Sequence, residues 1–303
     1  MEPRRFTVEE GAAGVRLDAF LARALGASRA EARRVLARGG VRVDGRARGA
    51  AEKGDALPAG AVVEVARFVP TAAQRPCPEP ALALPVVAEG PGWLVVDKPP
   101  GVPVHPLREE ERGTALGFVA ARHPEVVGVG EGGLRSGVVH RLDVETSGCL
   151  AFATEASAWE RLREAFRRHR MEKVYRAVAL GRLEGAGVLA LALVVARHRP
   201  ALVRAAPDGH PVELAWRALE PLRGATLVEV RPVTGFLHQI RAGLAHLGHP
   251  LAGDARYAAP GARDASGARR ALLHAARLAG AGIEAEAPDP PDFAAALARL
   301  RLR

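Results

Sequence analysis

Cysteine, lysine, aromatic residues and long apolar runs are all scarce in this chain of 303 residues. The two cysteines, Cys77 and Cys149, lie far apart and outside any CxxC pattern. This arrangement argues against a disulfide framework and a cysteine-based zinc site, and it suits a reducing cytoplasm. No uncharged apolar run approaches about 18 residues, so we expect no membrane span. The opening residues, MEPRRFTVEE, lack the apolar segment of a secretory signal peptide.

Positive charge, in contrast, is abundant and is almost all arginine. The formal net charge is +9 and the pI is about 10.7, yet the only lysines are Lys53, Lys98 and Lys173. A basic chain suits a polyanionic partner, and nucleic acid is the commonest one. Charge alone is equally compatible with a basic enzyme that has no such partner. Arginine is the better residue for forked phosphate contacts and for stacking on bases.

The length predicts two domains, a small one and a larger one. Residues 14–68 are predicted to form the small one. Apolar residues at helical spacing predict a helix that ends near Gly26, and Ser28 with Glu31 forms a capping-box pattern at the start of a second helix. Residues 69–85 contain five prolines and are predicted to be a semi-rigid linker, which leaves residues 86–303 for the larger domain.

An arginine-rich face is predicted on the small domain. Seven arginines lie between Arg29 and Arg48, and Arg29 and Arg33 are four residues apart, so they share one side of the second helix. Such a face is either simply solvated or tracks the phosphates of a nucleic acid.

The most distinctive stretch of the larger domain is GVVHRLDVETSGCLAFAT, residues 137–154. The pattern predicts a strand, a polar turn and a second strand, with Arg141 and Asp143 in the turn. Polar groups clustered between two buried runs usually face a cleft, because nothing in a core would satisfy them. Taken alone, Asp143 is also compatible with a turn-former or a surface ion-pair partner.

Three further stretches place polar residues in a predicted loop, a predicted strand and a predicted turn followed by a helix. A stiff loop, DKPPGVPVHP, contains Lys98, and a predicted strand, KVYRAVALG, contains Lys173 and Tyr175. The segment TGFLHQIRAGLAHL predicts a turn followed by a helix on which His238 and Arg241 share one face.

Together these stretches resemble the motifs of the RluA-type pseudouridine synthases, which isomerise uridine in structured RNA. The matching family patterns are HRLD-x-x-TSG, DKP-x-G-x-x-VHP, K-x-Y-x-A-x-V-x-G and TGR-x-HQIR. Phe236 stands where the family usually has Arg, and Gly243 where a His often stands. The N-terminal pattern RLDAFL…SRAEARRVLARGGVRVDG resembles an S4 domain, a small RNA-binding fold.

The resemblance implies an α+β chain: an S4 domain of the αL type, then a catalytic domain with a mixed, mainly antiparallel sheet and a central cleft. It implies Asp143 as the catalytic carboxylate, which attacks C1′ of the sugar or removes a sugar proton. Arg241 would keep that carboxylate ionised, Tyr175 would stack on the uracil and Arg141 would lie beside the flipped nucleotide.

The resemblance also assigns contacts with the RNA. The residues expected to make them, besides Arg141, are Lys98, Lys173, His238, Arg29 and Arg33. We expect ribosomal RNA or a pre-ribosomal large subunit as the partner, a monomer in the cytoplasm, and neither an organic cofactor nor a metal. His238, His246 and His249 have no cysteine pair or acidic ligand in register, which argues against a metal site.

Two other functions stay open from the sequence. The first is a pseudouridine synthase that acts on transfer RNA instead of ribosomal RNA. The second is a non-catalytic RNA-binding or ribosome-assembly factor built on the same scaffold, and Phe236 is its best support.

Overall fold

The computed structural model describes residues 3–66, 68–198, 200–258 and 263–301. The chain divides into two compact units, and the boundary between them lies between Gln74 and Arg75. This boundary falls inside the proline-rich segment that the sequence predicts as a linker.

The first unit combines two helices with an antiparallel sheet whose strand order is β1-β4-β2-β3. Its elements are β1 (Arg4–Thr7), α1 (Leu17–Leu25), α2 (Arg29–Ala37), β2 (Val41–Val43), β3 (Arg46–Arg48) and β4 (Val62–Val65). Strand β1 precedes the predicted span of 14–68. Its sequence, RRFT, has no buried residue and no apolar alternation, so only its pairing with β4 identifies it.

The two predicted helices of this unit are confirmed, together with the signals that bound them. Gly26 follows α1 in the left-handed conformation, with φ of 61°. Ser28 and Glu31 form the capping box: the Glu31 N–H donates to Ser28 Oγ and the Ser28 N–H to Glu31 Oε2. Both helices bury leucines, Leu21 and Leu36 among them, against the sheet.

The second unit is built on one large sheet, which contains ten strands within the described ranges. Its elements are β5 (Val86–Gly90), β6 (Trp93–Lys98), α3 (Ala115–Arg122), β7 (Ser147–Ala153), α4 (Ala156–Arg167), β8 (Glu172–Leu180), β9 (Ala186–His198), β10 (Ala201–Ala205), β11 (His210–Leu222), β12 (Ala225–Pro232), α5 (Gln239–His246), β13 (Leu273–Gly280), β14 (Ile283–Glu286) and α6 (Pro291–Arg301). The order is β10-β9-β11-β12-β8-β13-β7-β6-β5, and β14 also pairs with β13.

The pairing of this sheet agrees with the prediction of a mixed, mainly antiparallel sheet. Among the described strands, β7 and β13 are the one parallel pair, with His274 opposite Ser147. The chain is therefore an α+β protein, as expected. No helix in the described ranges is both long enough and apolar enough to cross a membrane.

Part of the predicted linker is instead packed into the second unit. The Glu79 carboxylate accepts hydrogen bonds from the Gly113 N–H at 2.8 Å, and the Glu79 N–H donates to the Gly117 carbonyl at 2.9 Å. Leu84 is buried in the core beside α3. The prolines rule out a helix here, but they do not prevent the segment from binding the surface of α3.

The strand that follows the HRLD turn is fixed on both faces. Every residue of β7 is buried. Leu150 and Phe152 pack into one core, while Cys149 and Ala151 pack into another on the opposite face, because side chains alternate along a strand. A one-residue shift would exchange these two sets, so the register of the turn before β7 is well defined.

The predicted strand before the HRLD turn does not form. Val138 makes only an isolated bridge to Phe152, and residues 139–143 are irregular. The carbonyls of Val138 and Val139 are occupied by side chains of α4: they accept hydrogen bonds from Trp159 Nε1 and Arg163 Nη1, each at 3.1 Å. The apolar run is buried as expected, but a helix rather than a neighbouring strand satisfies its backbone.

Candidate active site

A cavity of about 710 Å³ lies in the second unit beside the HRLD turn. Its walls come from residues 135–146, helix α4, strand β8 and the segment that leads into α5. Six residues singled out from the sequence line it, namely Arg141, Asp143, Lys173, Tyr175, His238 and Arg241. The fold thus brings three separate motifs to one cavity.

Asp143 lies in this cavity at the start of a tight turn, in which the Thr146 N–H donates to the Asp143 carbonyl at 3.0 Å. Its side chain is 20% exposed. The Oδ2 atom is 3.7 Å from Arg241 Nη1 and 3.8 Å from His238 Nε2. Both distances exceed hydrogen-bond length, so the carboxylate lies beside positive charge while its oxygens stay open to a substrate.

Arg241 is held mainly by a different carboxylate from the one that the sequence suggests. Its Nε and Nη2 donate to Asp254 at 2.6 and 2.7 Å, and both side chains are buried. Burial lowers the pKa of Arg241, but the hydrogen bonds and charge of Asp254, with Asp143 beyond, outweigh it and raise that pKa. Asp254 therefore fixes the guanidinium, and Asp143 lies next to a cation that is already paired.

Asp254 and Tyr257 were not predicted to belong to the site, although both lie in the stretch GDARY that follows the HQIR helix. The Tyr257 hydroxyl accepts a hydrogen bond from the Val203 N–H and lies 2.9 Å from His238 Nδ1. His238 precedes α5 in the left-handed conformation, with φ of 52°. Burial lowers the pKa of His238, and the charge of Asp143 opposes that shift.

Lys173 and Tyr175 project from the same face of β8, because they are two residues apart on a strand. Lys173 Nζ donates to the carbonyls of Val233 and Thr234 at 3.0 and 2.8 Å, and burial lowers its pKa to about 8. It therefore ties β8 to the segment before α5. Burial, and then the charge of Asp143, raise the pKa of the Tyr175 phenol, which keeps it protonated.

Lys98 does not line the cavity, which corrects the prediction that it contacts RNA. Its side chain is fully buried, and Nζ donates to the carbonyls of Pro99, Val102 and Val144 at 2.9 to 3.0 Å. The sequence locates this lysine next to a rigid loop but does not reveal that the loop wraps around the ammonium. Since Val144 follows Asp143, Lys98 holds the backbone of the turn that contains Asp143.

Two further buried side chains, which were not predicted from the sequence, support the same turn. Arg270 Nη1 donates to the Glu145 carbonyl at 3.0 Å, while its Nε donates to Asp292 at 2.6 Å. His274 Nε2 lies 3.1 Å from the Ala287 carbonyl, which can only accept, and its Nδ1 lies 3.0 Å from Ser147 Oγ. No sequence signal distinguishes Arg270 from the many other arginines of the chain.

His140, which lies three residues before Asp143, fixes the segment that leads into the turn. Its ring stacks on Phe166, with 4.5 Å between the ring centroids, and its Nε2 accepts a hydrogen bond from the Ala151 N–H at 2.9 Å. Burial, and then the charges of Lys173 and Arg163, lower the pKa of His140 to about 3. This neutral imidazole attaches the HRLD segment to β7.

Arg141 and Phe236 lie at the edge of the cavity. Arg141 is exposed, and its guanidinium forms no hydrogen bond or ion pair with any residue that the structure describes. Phe236 is half-buried and stacks on the exposed His210, with 5.3 Å between the ring centroids. Among the described residues, the edge of the cavity thus carries one unpaired cation, Arg141. At position 236, where the resemblance leads one to expect a second arginine, Phe236 stacks on His210 instead.

The remaining predicted residues, Arg29 and Arg33, belong to the first unit. Both donate to the buried Asp18 carboxylate, at 3.1 and 2.8 Å. Within the described ranges, no three His, Cys, Asp or Glu side chains are grouped so that they could hold a metal ion.

Comparison with known proteins identifies the family of this chain. A sequence model of the RNA pseudouridylate synthase family matches residues 92–246, and a model of the S4 domain matches residues 15–52. The chain belongs to the RNA pseudouridylate synthase family, and it is therefore an enzyme of the isomerase class. The resemblance found in the motifs is confirmed.

Relatives align with nearly the whole chain. An uncharacterized RNA pseudouridine synthase of Chloroflexus aurantiacus is 34% identical over 95% of this chain and 90% of its own length. The ribosomal large subunit pseudouridine synthase D of Xanthomonas campestris is 33% identical over 98% of this chain and 92% of its own. Among solved structures, human RNA pseudouridylate synthase domain containing 1 has a TM-score of 0.57 at 25% identity, covering 71% of this chain and 87% of that one.

Proposed function

We propose that this enzyme converts uridine to pseudouridine in large-subunit ribosomal RNA and that Asp143 is the carboxylate that acts on the sugar. The proposal rests on the position of the Asp143 side chain and on its lack of hydrogen-bond partners among the described residues. Asp143 is a carboxylate in a cavity of about 710 Å³, 3.7 Å from a fixed guanidinium and without a hydrogen bond to its side chain from any described residue.

The reaction breaks the C1′–N1 bond, turns the uracil and joins C1′ to C5. If Asp143 attacks C1′, the electron pair of the glycosidic bond leaves with N1 and an ester forms at C1′. The C5 atom of the turned base then displaces the carboxylate, C5 loses its proton and N1 gains one. If Asp143 instead removes a sugar proton, it acts as a general base. Both routes need an ionised, unbonded carboxylate.

The neighbouring residues have complementary roles in this proposal. Arg241 supplies a cation whose position does not depend on Asp143, because Asp254 holds it. A cation of this kind stabilises the carboxylate in a site from which substrate excludes water. Tyr175 contributes an aromatic surface against which the free uracil rests, and stacking of a base on an aromatic ring is worth roughly 1–3 kcal/mol.

The choice of ribosomal RNA rests on the relatives and on charge. Relatives named ribosomal large subunit pseudouridine synthase D align with most of the chain. The chain carries a formal net charge of +9 and an S4 domain. The unpaired Arg141 on the cavity rim is available for a phosphate or for the space that a flipped nucleotide vacates.

Mapping pseudouridines on candidate RNAs tests the substrate. The purified enzyme is incubated with unmodified transcripts of large-subunit ribosomal RNA and, separately, of transfer RNA. Carbodiimide labelling followed by reverse transcription then reports each pseudouridine as a stop. We expect stops at defined positions of the ribosomal RNA. Stops confined to transfer RNA would contradict the assignment to ribosomal RNA.

A non-catalytic RNA-binding factor is the second candidate, and the Phe236–His210 stack is the observation that favours it. It predicts tight binding to ribosomal RNA with no stops on any transcript or on an assembling subunit.

A further inference from the structure

The first unit contains a carboxylate around which three arginines converge. The Asp18 side chain is fully buried, while those of Arg16, Arg29 and Arg33 are about half exposed. Asp18 Oδ1 accepts from Arg16 Nε at 3.2 Å and from Arg29 Nη2 at 3.1 Å. Its Oδ2 accepts from Arg33 Nε at 2.8 Å and from Arg16 Nη2 at 3.4 Å.

Helices α1 and α2 and the residue before α1 contribute to this cluster. Arg16 precedes α1, Asp18 lies in the first turn of α1, and Arg29 and Arg33 are four residues apart on α2. The hydrogen bond from Arg16, with those from the other two arginines, holds the pKa of Asp18 well below its usual range. The carboxylate is therefore ionised near neutral pH.

The cluster keeps most of its capacity to bind an anion. A guanidinium has five N–H donors, and Asp18 occupies two from Arg16 and one each from Arg29 and Arg33. Three positive charges around one negative charge leave a net charge of +2. The free donors belong to half-exposed side chains whose direction the carboxylate has already fixed.

We propose that Asp18 is a positioning residue that assembles Arg16, Arg29 and Arg33 into one binding site for a backbone phosphate of RNA. Without the carboxylate, three like charges would repel one another and each flexible side chain would lose rotamer freedom on binding. Planar guanidinium forks match the oxygens of a phosphate. This inference rests on the proposed RNA substrate and adds to it the place where the first unit binds the backbone.

Two effects of Asp18 on RNA affinity have opposite signs, and this makes the inference testable. As a negative charge near the binding surface, Asp18 repels RNA, so its neutralisation should tighten binding. As the organiser of the cluster, it favours binding, so its neutralisation should weaken binding. Glu10 provides the matched control, because it is an exposed acidic residue of the same unit that forms no ion pair with a described residue.

The experiment measures filter binding of full-length Asp18→Asn and Glu10→Gln to a large-subunit ribosomal RNA transcript over a series of KCl concentrations. We expect Asp18→Asn to bind more weakly than the unaltered enzyme. The logarithm of its binding constant should also fall less steeply with the logarithm of the KCl concentration, by about the amount that one phosphate contact contributes. Glu10→Gln makes the same change in net charge and should bind as tightly as the unaltered enzyme or more tightly. Binding by Asp18→Asn that equals or exceeds that of Glu10→Gln would overturn the inference.

A second variant covers the case in which Asp18→Asn unfolds the first unit, which circular dichroism would reveal. Arg33→Lys preserves the charge but removes the Nε donor to Asp18, on a half-exposed side chain. It should lower RNA affinity at unchanged net charge, and unchanged affinity would overturn the inference. The unaltered enzyme is assayed for pseudouridine on the same transcript. If the unaltered enzyme forms no pseudouridine on this transcript, the proposed RNA substrate is rejected. If it does, but the variants bind the RNA with unchanged affinity, the phosphate site alone is rejected.

Discussion

At the scale of single residues, the site depends on a division of labour between two carboxylates. Asp254 binds Arg241 through two hydrogen bonds, whereas Asp143 lies 3.7 Å from the same guanidinium without bonding to it. A carboxylate that was fully paired with Arg241 would be a poorer reactant, because its lone pairs would be occupied. In the proposed mechanism, the buried ion pair of Asp254 and Arg241 places a positive charge beside Asp143.

Replacing Asp254 with Asn should destabilise the protein by about 3–5 kcal/mol, because it leaves a buried arginine without its partner. The Arg301–Glu220 pair is the matched control, since it has two hydrogen bonds of similar length but is exposed. Glu220→Gln should cost at most about 1 kcal/mol. Urea denaturation measures both, and equal losses would contradict the role assigned to burial.

His140 gives a pH dependence whose direction follows from its lowered pKa. The folded protein keeps the ring neutral down to about pH 3, whereas the unfolded chain takes up a proton below about 6.5. Unfolding thus binds a proton between these values. The stability that His140 contributes is complete above about pH 6.5 and is lost as the pH falls towards 3.

The His140→Asn variant should therefore lose less stability than the unaltered protein when the pH falls from 7 to 5, by about 2 kcal/mol. Its amide is neutral at both pH values, so it removes the titrating ring. His169→Asn is the control, because His169 is exposed and its backbone is left-handed, with φ of 54°, a conformation that Asn tolerates. Urea denaturation at both pH values tests this, and an unchanged pH dependence in His140→Asn would refute it.

At the scale of elements, the turn between Asp143 and Ser147 is held mainly by its surroundings. Lys98 at the end of β6, Arg270 before β13 and His274 in β13 bind its backbone or its Ser147 hydroxyl. The next residue, Gly148, has φ of 108°, and a Cβ there would lie 2.2 Å from the Ala275 carbonyl oxygen of the parallel strand β13. Only glycine allows the two strands to approach this closely.

Gly148→Ala should consequently cost more than backbone strain alone, which is about 1–3 kcal/mol. Gly101→Ala separates the two effects, because Gly101 also has positive φ, 85°, but a Cβ there meets no atom within 4 Å. We expect a larger drop in melting temperature, and a larger loss of turnover, for Gly148→Ala. Equal effects of the two substitutions would show that the strand contact is unimportant.

The elements show where prediction from sequence succeeds. Helices α1 and α2 were predictable, because the capping box and Gly26 are local signals. The irregular path of residues 138–143 was not, because α4, which follows later in the chain, satisfies the carbonyls of Val138 and Val139. The buried position of Lys98 was missed for a similar reason: a motif locates a residue in the chain, while the direction of its side chain depends on the loop that folds over it.

At the scale of the whole molecule, the sequence predicted two units and placed Asp143, Tyr175 and Arg241 in one cavity, because their motifs are recognisable. It did not predict strand β1 or the packing of residues 75–85, since both depend on contacts with distant segments.

Positive charge is denser in the first unit: residues 1–74 hold 13 basic and 9 acidic side chains, and the remaining residues hold 30 basic and 25 acidic side chains. This distribution agrees with a phosphate site on that unit.

The most direct test of the central claim is the single-turnover rate of pseudouridine formation by Asp143→Asn, followed as tritium release from a ribosomal RNA transcript labelled at uridine C5. We predict a loss of at least about a thousandfold, with RNA affinity retained, because the reacting carboxylate is removed while the cavity is preserved. Glu145→Gln, which alters a carboxylate 4.0 Å from Arg241 on the same turn, should stay within a few-fold of the unaltered enzyme. Turnover by Asp143→Asn comparable with that of Glu145→Gln would contradict the assignment of Asp143.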